Sequence, residues 1–180
     1  MLTLPNVKFS HVGLYVHDLA KMEQFYRTTL GLVITDRGEL PGRELVFMSR
    51  DAEEHHQLVL ASGRDGAPDV KVLNQVSFSM ETLSDLRDFH DLLSKKKEIS
   101  DLVPINHGLA WSIYFKDPEG NRIEVFVNSP WYVKQPISDP LDLNLSDAEI
   151  IRRTELDYQN YPGFQTRSQW QKRLQSQLDI

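Results

Sequence analysis

Apolar and polar residues along this chain change their period several times, and the order of those changes repeats. Residues 11–30, HVGLYVHDLAKMEQFYRTTL, begin with alternation at Val12, Leu14 and Val16. They pass through a short polar entry, His17-Asp18, and settle into a 3.6-residue period at Leu19, Met22, Phe25, Tyr26 and Leu30. That change of period predicts a strand feeding an amphipathic helix, with Asp18 as its N-cap. Residues 75–94, QVSFSMETLSDLRDFHDLLS, repeat the sequence of events at an offset of 64, alternating at Val76, Phe78 and Met80 and then turning helical at Leu83, Leu86, Phe89 and Leu93. Three strands are expected after the first helix, at 32–34, 44–48 and 56–60. After the second come a weak one near 99–103 and two clear ones at 113–115 and 123–127. Each copy reads β-α-β-β-β, so the fold class is α+β, built from two βαβββ modules at about 7–61 and 72–128.

Such a module has one sheet face covered by its helix and the other bare. Two copies that set their bare faces together form an open cleft lined by strand residues, a suitable place for a small ligand or metal. The Gly/Pro/Asp-rich stretch 62–69 is the expected linker.

The most informative stretch is Trp111 to Phe126, WSIYFKDPEGNRIEVF. Alternation at Ile113 and Phe115, and again at Ile123 and Val125, predicts a half-buried hairpin. Asp117-Pro118-Glu119-Gly120-Asn121 supplies its turn, with φ > 0 at Gly120 or Asn121. Glu124 stands inside the returning strand between apolar neighbours. A carboxylate there is costly to bury unless an arginine or a metal ion faces it, and the pattern alone leaves both open.

Beyond residue 128 the repeat ends, and 129–180 reads as a C-terminal extension. SPWYVKQP predicts an extended arm anchored by Trp131 and Tyr132. Ser146-Asp147-Ala148-Glu149 predicts a capping box opening a helix to about Tyr158, and Thr166 or Ser168 opens a second helix after Pro162-Gly163. Such an arm suits wrapping the body, closing the cleft mouth or binding a second subunit.

Composition narrows the chemistry. A net charge of −6 with mixed signs, and no basic run beyond Lys95-Lys96-Lys97, argue against nucleic-acid or membrane partners. The absence of cysteine excludes disulfides, zinc–thiolate sites and thiol nucleophiles. With no signal peptide and no long apolar run, a cytoplasmic protein is expected. His11 opens the first strand and Gln75 holds the equivalent place in the second copy. Glu124 lies on the last strand, and its first-copy equivalent is Gln57 or His56, depending on register. A histidine and a carboxylate on different strands of one cleft are suitable ligands for a divalent first-row metal. Equally, His11 reads as an ordinary strand histidine, His55 and His56 as surface partners of Glu53 and Glu54, His107 as a turn cap, and Tyr114 as a core tyrosine.

The paired modules resemble the vicinal oxygen chelate superfamily, which includes glyoxalase I, type I extradiol ring-cleaving dioxygenases, epimerases and fosfomycin- or bleomycin-resistance proteins. The resemblance covers about residues 7–128. DPEGN-x-IE, Asp117 to Glu124, is similar to the motif that ends a module, with Glu124 at the metal-ligand place; His11 in HVGLYV is similar to the usual first-strand ligand. The resemblance is nearest to the one-domain extradiol dioxygenases and implies metal ligands His11, Gln75 and Glu124. It also implies an acid–base role for His56 of the His55-His56 pair, and substrate contacts by His107 in NHG and Tyr114 in SIYFKDPEG. The activity implied is that of an extradiol dioxygenase-like oxidoreductase of aromatic degradation, using Fe(II), or else Mn(II), with O₂ on a vicinal-diol aromatic substrate, in a homo-oligomer. Gln75 departs from that pattern, because those enzymes carry their second histidine there. A neutral amide donor loosens Fe(II) and favours harder ions. The alternatives are a glyoxalase-like lyase or isomerase, or a non-catalytic binding or resistance protein with a degenerate metal site.

Overall fold

A computed structural model describes residues 8–66 and 73–178, which fall into two compact units. The expected linker residues Ala67, Pro68 and Asp69 lie outside the described residues.

The first unit runs to residue 71 and includes the turn Asp117–Gly120. It holds β1 (Val12–Val16), α1 (Leu19–Leu30), β2 (Val33–Leu40), β3 (Arg43–Ser49) and β4 (Leu58–Ser62), in sheet order β1-β4-β3-β2 with β1 parallel to β4. Asp18 caps α1 by accepting from the Lys21 amide at 2.9 Å. The apolar stripe Met22, Phe25, Tyr26 and Leu30 is buried, as its period requires. Within this unit Tyr26 donates to Asp117 at 3.1 Å. Glu119 accepts from the amides of His17 and Asp18 at 2.7 and 2.8 Å and pairs with Arg64.

The second unit holds β5 (Val76–Ser79), α2 (Leu83–Ser94), β6 (Ser100–Asn106), β7 (Ala110–Lys116) and β8 (Arg122–Asn128). They are followed by β9 (Trp131–Tyr132), β10 (Asp139–Pro140), α3 (Asp147–Tyr158), β11 (Gln165–Thr166) and α4 (Arg167–Leu178). Its main sheet is ordered β10-β6-β7-β8-β5, with β5 parallel to β8. Both units therefore carry the βαβββ order. Gly120 supplies the positive φ (81°) of the hairpin turn.

Four local expectations are corrected. The hairpin is not half-buried: β7 is buried from Ala110 through Phe115. On one side Phe115 meets Phe89 of α2, and Trp111 donates to Thr154 of α3 at 2.9 Å; Ser112 and Tyr114 turn to the other side with Glu124. The first-unit equivalent of Glu124 is Val59, neither Gln57 nor His56. Gly13 pairs with Val59 as Ser77 pairs with Glu124, so the offset grows from 64 to 65 between the first and last strands. The capping box of α3 is half made. Ser146 accepts from the Glu149 amide, but the Glu149 carboxylate turns to Arg152 and Arg153, and their bonds hold it down at about 2. The arm is also more regular than expected, because β9 pairs with β11 and β10 with β6. Trp131 packs on Phe164 and Tyr132 stacks on Trp170 at 5.3 Å. No helix among the described residues is long and apolar enough to cross a membrane.

Candidate functional site

Parallel pairing of β5 with β8 sets Ser77 opposite Glu124, and antiparallel pairing of β7 with β8 sets Tyr114 opposite it from the other side. Period-2 geometry puts Ser112 on the same face as Tyr114. Four donors consequently converge on one carboxylate. Tyr114 and Ser112 donate to Oε1 at 2.5 and 2.8 Å, and Gln75 Nε2 and Ser77 each donate to Oε2 at 2.6 Å. Glu124 is only 8% exposed and Ser112 is fully buried.

All four donors are neutral. Arg122, two positions before Glu124 and so on its face, lies over the Tyr114 ring with its guanidinium carbon 3.9 Å from the centroid. Among the described residues no lysine or arginine pairs with Glu124; the nearest basic atom is His107 Nε2, 3.8 Å from Oε1. Of the two partners left open for this carboxylate, the arginine is thus spent elsewhere.

His107 completes a line. Its Nδ1 lies 2.5 Å from the Ile137 carbonyl oxygen, which can only accept, so Nδ1 carries the proton and donates. Its Nε2 faces the Tyr114 hydroxyl at 2.9 Å. Tyr114 has one proton for two neighbours, Glu124 and His107. Both links are filled at once when His107 is an imidazolium. Burial, then the bond to and charge of Glu124, push the Tyr114 phenol far above its usual range.

Burial likewise raises Tyr26 and Tyr158, each of which donates to an aspartate. A phenol raised on folding contributes stability that is complete below pH 10 and is lost as pH climbs toward the higher folded value. An absorbance titration near 295 nm should find Tyr26, Tyr114 and Tyr158 silent past pH 10 and ionising only together with alkaline unfolding. Tyr114→Phe removes one tyrosine from that late phase.

The loop carrying His107 is held by the C-terminal extension. Ser129 donates to the Gly108 carbonyl at 2.6 Å, and Val133, Ile137 and Tyr158 form a buried cluster. Gly108 has φ +72°, and a Cβ there would stand 2.5 Å from Val133 Cγ1. Gly108→Ala is expected to cost about 2–4 kcal/mol, combining left-handed strain with overpacking. A thermal melt should fall by several degrees; an unshifted melt would contradict this packing.

In the first unit the structure gathers three of the histidines. The His11 and His56 rings lie 4.2 Å apart between centroids, and His55 Nδ1 is 2.9 Å from His56 Nδ1. His55 does not pair with Glu53 or Glu54. Its acidic neighbour is Asp36 at 4.0 Å, while Glu54 accepts from Ser10. Burial, and then the neighbouring His11 and His55, lower the pKa of His56, favouring its neutral form.

Among the described residues no three His, Cys, Asp or Glu side chains gather as a metal-binding group. Glu124 suits a divalent cation: it is a buried carboxylate, and the four hydrogen-bond donors that converge on it are all neutral. Gln75 fits through its amide oxygen, which must turn from its present place; as placed, its N–H is committed to Glu124.

The profile of the Glyoxalase/Bleomycin resistance protein/Dioxygenase superfamily matches residues 8–125. The chain belongs to this superfamily. Biphenyl-2,3-diol 1,2-dioxygenase 2 of Rhodococcus globerulus is 29% identical over 167 residues, covering 83% of this chain and 85% of that one. Biphenyl-2,3-diol 1,2-dioxygenase 3 of the same organism is 32% identical over 127 residues, which span 68% of this chain and 64% of the relative. A crystal structure of a glyoxylase/bleomycin resistance protein/dioxygenase domain from Frankia sp. EAN1pec superimposes with TM-score 0.57 at 23% identity, covering 70% of this chain and 99% of that one. That likeness bears on the superfamily fold alone.

Sequence reasoning missed Ser77, Ser112 and Glu119. Ser77 and Ser112 carried a usable signal: the same strand ladder that places Glu124 places both beside it. Glu119 looked like turn filler, and nothing local marks it as the acceptor for two amides at the start of α1.

Proposed function

We propose that this protein is a metal-dependent oxidoreductase cleaving small aromatic vicinal diols with O₂, in the manner named for its Rhodococcus relatives. The observation that carries the reading is the line His107–Tyr114–Glu124, with links of 2.9 and 2.5 Å, ending on a buried carboxylate that pairs with no lysine or arginine among the described residues. The proposed ligands are His11, Gln75 and Glu124. When bound, Fe(II), or Mn(II) in its place, supplies a Lewis acid that favours ionised diol oxygens and a one-electron couple toward O₂.

The chain's own residues do the rest. Tyr114, held protonated by burial, works as a relay: its hydroxyl turns from Glu124 to His107 and hands its proton on as it takes one from the diol. His107 Nε2, aimed at the Tyr114 hydroxyl, takes up or returns the proton that the diol gives through Tyr114. His56, kept neutral by its lowered pKa, serves as a proton acceptor during ring opening. Gln75 is freed for ligation when its amide turns, leaving Ser77 on Oε2.

A second reading leaves the Gln75 N–H on Glu124, where it now lies. In it the carboxylate works as a base next to a substrate carbonyl, as in a glyoxalase-like lyase or isomerase.

Anaerobic loading with Fe(II) or Mn(II), followed by biphenyl-2,3-diol or catechol and air, separates the two. The first reading expects a yellow ring-cleavage product. No colour from either diol, together with turnover of a thiohemiacetal, would replace it with the second.

A further inference from the structure

The C-terminal extension reaches the candidate site through one side-chain amide. Gln135 Nε2 donates to the His107 carbonyl at 2.8 Å and to the Val133 carbonyl at 3.2 Å, while Gln135 Oε1 accepts from the Ile137 amide at 3.0 Å. A single planar group thus ties the backbone at His107 to the backbone at Ile137. The Ile137 carbonyl, so placed, is the oxygen that receives the His107 Nδ1 proton.

A histidine side chain free in water prefers its proton on Nε2. Nδ1–H is held here because a fixed acceptor lies 2.5 Å away, and only that tautomer leaves Nε2 bare toward Tyr114 at 2.9 Å. The backbone of the arm supplies the acceptor, and Gln135 keeps the arm against the loop. Ser129, bonded to the Gly108 carbonyl, and Val133, packed where a Cβ on Gly108 would stand, anchor the arm just before this contact.

We propose that Gln135 is a positioning residue: its amide clips residues 133–137 to His107 and thereby selects the tautomer that faces Tyr114. The catalytic significance rests on His107 carrying a proton in the proposed ring cleavage, but the tautomer itself does not.

The test uses the full chain labelled with ¹⁵N-histidine, without metal, at a pH where neutral imidazole dominates. Long-range ¹H–¹⁵N correlation reads which ring nitrogen carries the proton. The His107 signals are assigned by their loss in His107→Gln. In wild type, Nδ1–H is expected to exceed Nε2–H by about tenfold or more. In Gln135→Met, which keeps the length but not the amide, the ratio should fall at least tenfold toward the preference of a free histidine side chain. Gln135→Glu keeps the acceptor for Ile137 and loses the donor to His107, so it should fall between the two. Wild type carrying Nε2–H, or an unchanged ratio in folded Gln135→Met, would overturn the proposal. If Gln135→Met does not fold, the wild-type tautomer and Gln135→Glu decide it alone. Should ring cleavage be established, Gln135→Met should lower kcat about tenfold with little change in KM, whereas general loosening would move the melt and leave the tautomer in place.

Discussion

Glu124→Gln should abolish metal uptake and turnover while leaving the protein folded. Loss of a residue that merely orients a ligand costs about 10–100-fold in metal affinity or activity, so loss of the anionic ligand itself should exceed about 100-fold. Stability should change far less. The buried carboxylate carries a desolvation cost that neutral donors only partly offset, and the substitution removes it. Against that gain, some donors lose their acceptor. Ser77 is exposed and Gln75 half-buried, so water satisfies both; Tyr114 turns to His107; Ser112, fully buried, is the donor left at risk. One stranded donor costs about 1–3 kcal/mol. A melt within a few degrees of wild type, beside metal binding reduced more than about 100-fold, is the expected pair of results. Equal loss of fold and metal would make Glu124 a structural residue.

Tyr114→Phe should lower kcat by roughly 10²–10³-fold, the usual cost of removing one aimed donor, with a smaller change in KM. The ring keeps its packing and its contact with Arg122; only the hydroxyl that joins His107 to Glu124 goes. His107→Gln should approach the same loss, and the double variant should lose little more, because both residues act along one line. Steady-state kinetics on biphenyl-2,3-diol checks this. Independent, multiplicative losses would mean that the two residues serve different steps.

The fold was legible because its signal is periodicity, and each unit has a sheet that needs covering by one amphipathic helix. Val12 and Val76 open equivalent strands, Met22 and Leu86 sit on equivalent buried stripes, and both copies carry the same run of elements. The site was legible only in its residue types. His107, Tyr114 and Glu124 do meet, but what surrounds Glu124 depends on ladder register, which one extra residue between copies changes; that is why Val59 rather than Gln57 or His56 is the counterpart. Gln75 illustrates the same point from the chemical side. The resemblance implies a ligand there, and the strand ladder sets its amide N–H against Glu124, so ligation asks the amide to turn. Part of the burial of β7 was hidden because Thr154, which bonds Trp111, comes from an extension that carries no copy of the repeat.

The central claim is that Glu124 anchors a divalent ion. Anaerobic calorimetric titration of Fe(II) or Mn(II) into the metal-free protein, with wild type and Glu124→Gln side by side, tests it most directly. One ion per chain is expected for wild type, with binding weakened more than about 100-fold, or absent, in the variant. A wild-type protein that takes up neither ion, or a variant that binds as tightly as wild type, would contradict it.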